Sequence, residues 1–145
     1  MPNNEIFLRF ENGLPKGTAQ HKGERIAIKF VNGRRVQYIQ HYKTNAMNAA
    51  RREFELKLKK YRPRKPSEAP IRLTICLFFS IKAPHKLWGT YKVTRPDCDN
   101  YAKELIDAMT AVGFWNDDAQ VVDLHIVKRY AEQSTIWIKW EEVSG

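Results

Sequence analysis

Ile6, Leu8 and Phe10 alternate with mostly polar neighbours, and the run stops at Asn12 and Gly13, which predicts a first strand. Residues 14–24 show no periodicity and include Pro15, Gly17 and Gly23, the pattern of a mobile loop. Two apolar-rich runs, 26–31 and 35–39, flank Asn32 and Gly33. That dipeptide accepts positive φ at both centres of a type I′ turn, so a hairpin with a basic tip is expected. Ala46, Ala50, Phe54 and Leu58 recur every four residues, predicting a helix from an N-cap at Thr44 to about Tyr61, with Pro63 and Pro66 stopping it. Alternation over 71–81, with Cys76 and Phe78 making the second side apolar, reads as a central strand covered on both faces and ended by Pro84. After a basic loop over 82–95, Asp97 and Asp99 lead into a second helix. Its buried stripe is Tyr101, Leu105, Ala108, Met109 and Val112, and Gly113 closes it. Runs at 121–127 and 135–140 predict two final strands joined at 132–134. Strands interleaved with two main helices and a hairpin argue for an α+β fold with a mixed sheet.

The 145 residues, 43% of them hydrophobic, suit one domain over 1–145 with one core. No apolar run approaches the roughly 20 residues of a membrane span, and the opening residues lack a signal peptide's hydrophobic centre, so a cytoplasmic protein is expected. Cys76 and Cys98 have no partner in zinc-site spacing and are too few for a disulfide framework. Cys76 reads as strand core and Cys98 as a filler beside the acidic residues.

Charge is distributed unevenly. Residues 1–66 hold 16 Lys and Arg against 5 Asp and Glu, whereas residues 67–145 hold 9 against 11. The whole net charge of +9 therefore lies in the first half, where cations suit a polyanion backbone or simply a solvated surface. Seven acidic residues fall between Asp97 and Asp123. A carboxylate nest is of no use for merely holding phosphates, so acid embedded in base points to metal-assisted cutting of nucleic acid.

Asp97 or Asp99 alone at a helix start would be a cap. With Asp118 arriving from the turn after the helix, up to three negative charges come together, and repulsion raises at least one pKa unless a cation intervenes. Mg²⁺ is the natural cation, being hard and oxygen-seeking. An EF-hand begun at Asp97 is excluded, because Tyr101 and Ala102 stand where Asp or Asn and then Gly are needed. Asp99, Lys103 and Asp107 share one helix face, either as an ion-pair ladder or with the Lys103 ammonium set beside the metal site to stabilise developing charge.

The run Arg95-Pro96-Asp97-Cys98-Asp99-Asn100, then Lys103 and Asp107-Ala108, then residues 113–123 (Gly113-Phe114-Trp115-Asn116-Asp117-Asp118 onward) resembles the signature of the RusA-type Holliday junction resolvases. The match is dense over 95–130 and weak before residue 70. The resemblance implies that Asp97, Asp99 and Asp118 are metal-binding catalytic carboxylates, that Lys103 is the catalytic lysine, and that Asp118 rather than Asp117 is the essential member of its pair. It also implies a Mg²⁺-dependent homodimer, with Mn²⁺ a possible substitute and no small-molecule cofactor, whose two sites make paired symmetric nicks in a four-way DNA junction. Cys98 stands where many relatives carry an aliphatic residue. Two competing functions share these residues: a metal nuclease acting on flaps, single strands or RNA, and a catalytically silent junction-binding module.

Among the aromatics, Phe114 and Trp115 are expected to pack beneath the site and position Asp118. Trp140 shares the core face with Ile136 and Ile138, and Trp137 points away, half exposed or at a subunit interface. Trp88 either folds back on the core or stacks on an unpaired base. His21, His41, His85 and His125 form no ligand pattern.

Overall fold

The computed structural model describes residues 4–15, 22–43 and 45–145. Its strands are β1 (Glu5–Arg9), β2 (Lys22–Val31), β3 (Arg34–Lys43), β4 (Ile71–Ser80), β5 (Val121–Ala131) and β6 (Thr135–Glu142), and its helices are α1 (Asn45–Lys59) and α2 (Cys98–Val112). The main sheet runs β1-β6-β4-β5. β4 pairs with β6 antiparallel and with β5 parallel, so the sheet is mixed. The parallel pair follows from connectivity: α2 carries the chain from the end of β4 back to its start, as a parallel neighbour requires.

Alternation decides which side of the sheet is buried. Ile71, Leu73, Ile75 and Leu77 of β4, with Ile136 and Ile138 of β6, enter one core with Phe54 and Leu58 of α1 and Leu105 and Met109 of α2. Edge-to-face rings fasten the layers: Phe54 meets Phe10 at 6.1 Å and Tyr101 at 5.9 Å, and Tyr101 meets Phe79 at 6.2 Å. Phe54→Ala is expected to cost about 3–5 kcal/mol, because three surrounding elements cannot all collapse into the vacated space. Urea unfolding followed by tryptophan fluorescence measures it.

Among the described residues the expected double coverage of β4 is not found. Arg72 is exposed, Thr74, Cys76 and Phe78 are half-buried, and both helices lie on the other side. Cys76 is therefore outside the core. An apolar side chain on each face marks a strand as central, but it does not supply a second layer.

The hairpin forms with Asn32 at φ 52° and Gly33 at φ 76°, as a type I′ turn demands. Its strands are longer than the apolar runs, because backbone pairing continues through Lys22↔Lys43 to Arg25↔Gln40, where side chains give no alternation. The predicted loop is correspondingly shorter at its C-terminal end. Thr44 and residues 16–21 lie outside the described residues, so the proposed cap and most of that loop do too.

α2 stops at Gly113, left-handed at φ 102°, whose N–H and that of Phe114 return to the Met109 carbonyl at 3.2 and 3.0 Å. The 82–95 segment is more ordered than a bare loop. A 3₁₀ turn at His85–Leu87 leads to residues that bond the edge of β5, with Gly89 N–H on the Tyr130 carbonyl at 2.8 Å. Trp88 stacks on His85 at 4.3 Å and donates its indole N–H to the Ile81 carbonyl at 2.8 Å. It is thus folded back, and His85 supports it. Trp140 lies in the core and Trp137 is half-buried on the open side, both as their parity dictates.

Candidate active site

One face of α2 and the turn before β5 enclose a cavity of about 340 Å³ lined by Asp99, Lys103, Ile106, Asp107, Asp118 and Leu124, among others. Helical spacing delivers the first four, since residues three and four apart stack along a single face. Asp118 arrives by a different route. After Gly113, Phe114 and Trp115 are pulled into the core, and Asp118–Gln120 make a 3₁₀ turn that drops straight into β5.

That turn is tightly built. The Asp117 carboxylate accepts from Ala119 N–H at 2.9 Å, while Gln120 Oε1 accepts from Asn116 and Asp117 N–H, both at 2.9 Å. Gln120 Nε2 donates to the carbonyls of Ser67 at 2.8 Å and Ala69 at 3.0 Å, tying the turn to the approach to β4. Asp117 is thereby a capping residue and Asp118 is the one presented to the cavity. Trp115 Nε1 donates to Thr110 Oγ1 at 2.7 Å, and the Thr110 hydroxyl in turn contacts an Asp118 carboxylate oxygen. The expected support of Asp118 thus runs from Trp115 through this hydroxyl, while Phe114 is buried in the core.

Asp107 and Asp118 share a hydrogen bond, which two ionised carboxylates cannot do without a proton or cation between them. Burial raises the Asp107 carboxyl, and the hydrogen bond and charge of Asp118 raise it further. Asp118 is held below the usual range by its hydrogen bond with Asp107, helped by Thr110 and by the charges of Lys103 and Arg51. The two affect stability in opposite directions. Asp118 stabilises the fold above its unfolded-chain value and loses that contribution as pH falls through its depressed folded value. Asp107 contributes most below its unfolded value and loses that as pH rises through its raised one.

The anchor of Asp107 was not visible in sequence. Arg51 of α1 reaches Asp107 Oδ2 at 3.0 Å through Nη2 and lies 3.5 Å from Glu104 Oε2 through Nε, with its side chain only 17% exposed. It is therefore withdrawn from the exposed basic surface of α1. Glu104 is buried and stands 53 positions from Arg51, so no local pattern in the sequence linked the two. The alternative of an ion-pair ladder along α2 is not realised: among the described residues Lys103 makes no ion pair with Asp99 or Asp107.

Asp97 is placed differently from the other predicted carboxylates. It is the N-cap of α2, at φ −77° and ψ 143°, and its side chain makes no capping hydrogen bond; Asn100 Nδ2 approaches its Oδ2 at 3.5 Å. Extended backbone puts it out of phase with the 99-103-107 stripe, and it is not among the residues lining the cavity. Lys128 holds the preceding segment through the carbonyls of Thr94 at 2.7 Å and Pro96 at 2.8 Å. Among the described residues no three carboxylates are disposed around one point as ligands. The donor set nevertheless fits a hard cation, because oxygen donors from Asp99, Asp107 and Asp118 border one cavity and two of them are already in contact.

The profile of the family described as endodeoxyribonuclease RusA matches residues 13–141. The chain is 34% identical over 138 residues to a protein of Lactococcus phage r1t named crossover junction endodeoxyribonuclease rusA, covering 94% of this chain and 97% of that one. It is 59% identical over 34 residues to the crossover junction endodeoxyribonuclease RusA of Escherichia coli strain K12, covering 23% and 28%. An uncharacterized Bacillus subtilis protein, YqaN, is 43% identical over 52 residues, 36% of each chain.

Proposed function

The chain belongs to the RusA family of endodeoxyribonucleases, and from that premise we propose that it resolves four-way DNA junctions by paired symmetric nicks that depend on a divalent metal, Mg²⁺ or in its place Mn²⁺. The observation that carries the reading is the cavity shared by Asp99, Lys103, Asp107 and Asp118 in a protein whose net charge is +9. Asp99 and Asp118 would hold the metal together with Asp97, the third ligand that the resemblance implies, and Asp107 lies beside Asp118. Bound there, the ion supplies an activated water and charge relief at the phosphate.

The chain's own residues do the rest. Thr110 and Asp107 fix the Asp118 carboxylate, and the Arg51 ion pair fixes Asp107. Lys103 presents a cation free of carboxylate partners among the described residues, available to a phosphate oxygen as negative charge develops. The basic first half binds the flanking phosphates, so affinity falls steeply with salt. Paired nicks require two sites and hence a two-fold homodimer. Among the described residues no helix is long and apolar enough to cross a membrane.

Cleavage of a synthetic four-way junction, a matched duplex, a flap and a single-stranded RNA in Mg²⁺ tests this. The junction is expected to be cut at least tenfold faster than the others, and only with metal. Equal cutting of flap or RNA assigns the site to a general nuclease; tight junction binding without cutting in Mg²⁺ or Mn²⁺ assigns it to a binding module.

A further inference from the structure

A second cleft lies away from the carboxylates. It has a volume of about 500 Å³ and opens between β1 and the C-terminal half of α1, lined by Phe7, Leu8 and Arg9 from the strand and by Leu56, Lys57, Lys60 and Tyr61 from the helix end. Leu56 is off the buried stripe of Ala50, Phe54 and Leu58 and is 74% exposed, Phe7 is 57% exposed and Tyr61 36%. Single exposed apolar side chains are ordinary, but three gathered around one cleft make a patch that marks an interaction surface. Arg9, Lys57 and Lys60 supply its charge, and none of the lining residues is acidic.

β1 adds a second kind of binding group. It ends the sheet order β1-β6-β4-β5, so no strand of that sheet pairs with its outer side. Phe10 N–H on the Ser134 carbonyl and Trp140 N–H on the Asn4 carbonyl, both at 3.0 Å, place the even-numbered residues in register to bond β6. Glu5, Phe7 and Arg9 therefore direct their main-chain groups outward, and Lys57 Nζ takes the Arg9 carbonyl at 2.8 Å.

We propose that this cleft docks an extended acidic segment of another protein, which adds to the outer edge of β1, seats an apolar side chain among Phe7, Leu56 and Tyr61, and sets carboxylates against Arg9 and Lys60. In strand addition main-chain bonds give affinity and alternate side chains give specificity. The five residues of β1 offer an edge of about 17 Å, enough for a segment of similar length. Cations without lining carboxylates select an acidic partner and repel a basic one. A nucleic-acid strand fits less well. Its backbone has no amides to pair with β1, Leu56 offers no plane to stack on, and the Lys60 ammonium sits over the Tyr61 ring at 4.9 Å. The cavity of Asp118 borders β5, at the other end of the sheet order, so a segment held at β1 leaves the cutting site open. Such a tether brings the enzyme to a partner protein without using the residues that cut.

Fluorescence anisotropy with a labelled nonapeptide of alternating aspartate and leucine is expected to show saturable binding in the micromolar range. Leu56→Glu and, separately, Lys60→Gln are expected to weaken it about tenfold; both positions are exposed, so the fold survives. The same peptide N-methylated at alternate amides should bind about tenfold more weakly, and one with lysine in place of aspartate should not bind. Leu56→Glu should leave the rate of junction cutting unchanged. No binding by the wild type, or undiminished binding by Leu56→Glu or of the N-methylated peptide, overturns the proposal. Displacement of the peptide by a short oligothymidylate also overturns it and assigns the cleft to single-stranded DNA. A wild type that binds the peptide but cuts no junction loses only the resolvase reading.

Discussion

Asp118→Asn is expected to lower junction cleavage on the order of 10³-fold, because a lost ligand forfeits several kcal/mol of charge stabilisation at the reacting phosphate. Fold and junction affinity should survive. Asn is the same size, its amide oxygen still meets the Thr110 hydroxyl, and the side chain lies at the surface of the turn rather than in the core. The sharp comparison is with the residue beside it. Asp117→Ala removes the cap of the 3₁₀ turn and is expected to cost about 1 kcal/mol of stability while folded enzyme keeps most of its rate. Single-turnover cleavage and urea unfolding on both variants separate the two roles. Equal losses of rate at 117 and 118, or normal rate at 118, would sink the assignment of Asp118.

Lys103→Met should lower the rate about 10²- to 10³-fold, the usual cost of deleting one preorganised charge-stabilising group. It should leave junction affinity within a few fold, since a single cation among many contributes little to phosphate binding. The acid side of the rate profile should also move. Lys103 lowers the pKa of both Asp107 and Asp118, so without it both carboxylates hold protons to higher pH and metal loading demands more alkaline solution. Single-turnover rates across pH, together with gel-shift affinities at constant salt, measure both effects. A rate loss explained wholly by weaker junction binding would reassign Lys103 to DNA contact.

Several features of the site could be read in the sequence because their cause is local. The spacing of Asp99, Lys103 and Asp107 needs only helical geometry to share a face, and they line one cavity. Gly113 and Asn32-Gly33 announced their turns through the φ values they alone accept cheaply. Cys76 and Phe78 misled, since apolar character on a strand's second face resembles coverage whether the layer comes from the same chain or is absent from it.

Other features required the chain to be folded first. Arg51 and Glu104 stand 53 positions apart, and only the packing of α1 against α2 brings them together beside Asp107. Asp97 and Asp99 look equivalent two residues apart, yet the change from extended to helical backbone between them aims one into the cavity and not the other. By itself the sequence determined which elements form and which face of each is apolar, because periodicity and turn chemistry act over a few residues, and its motif over residues 95–123 carried the family resemblance. Tertiary structure decided which carboxylates meet, which of Asp117 and Asp118 is presented, and which apolar faces are left uncovered, because those depend on contacts between segments that no local pattern encodes.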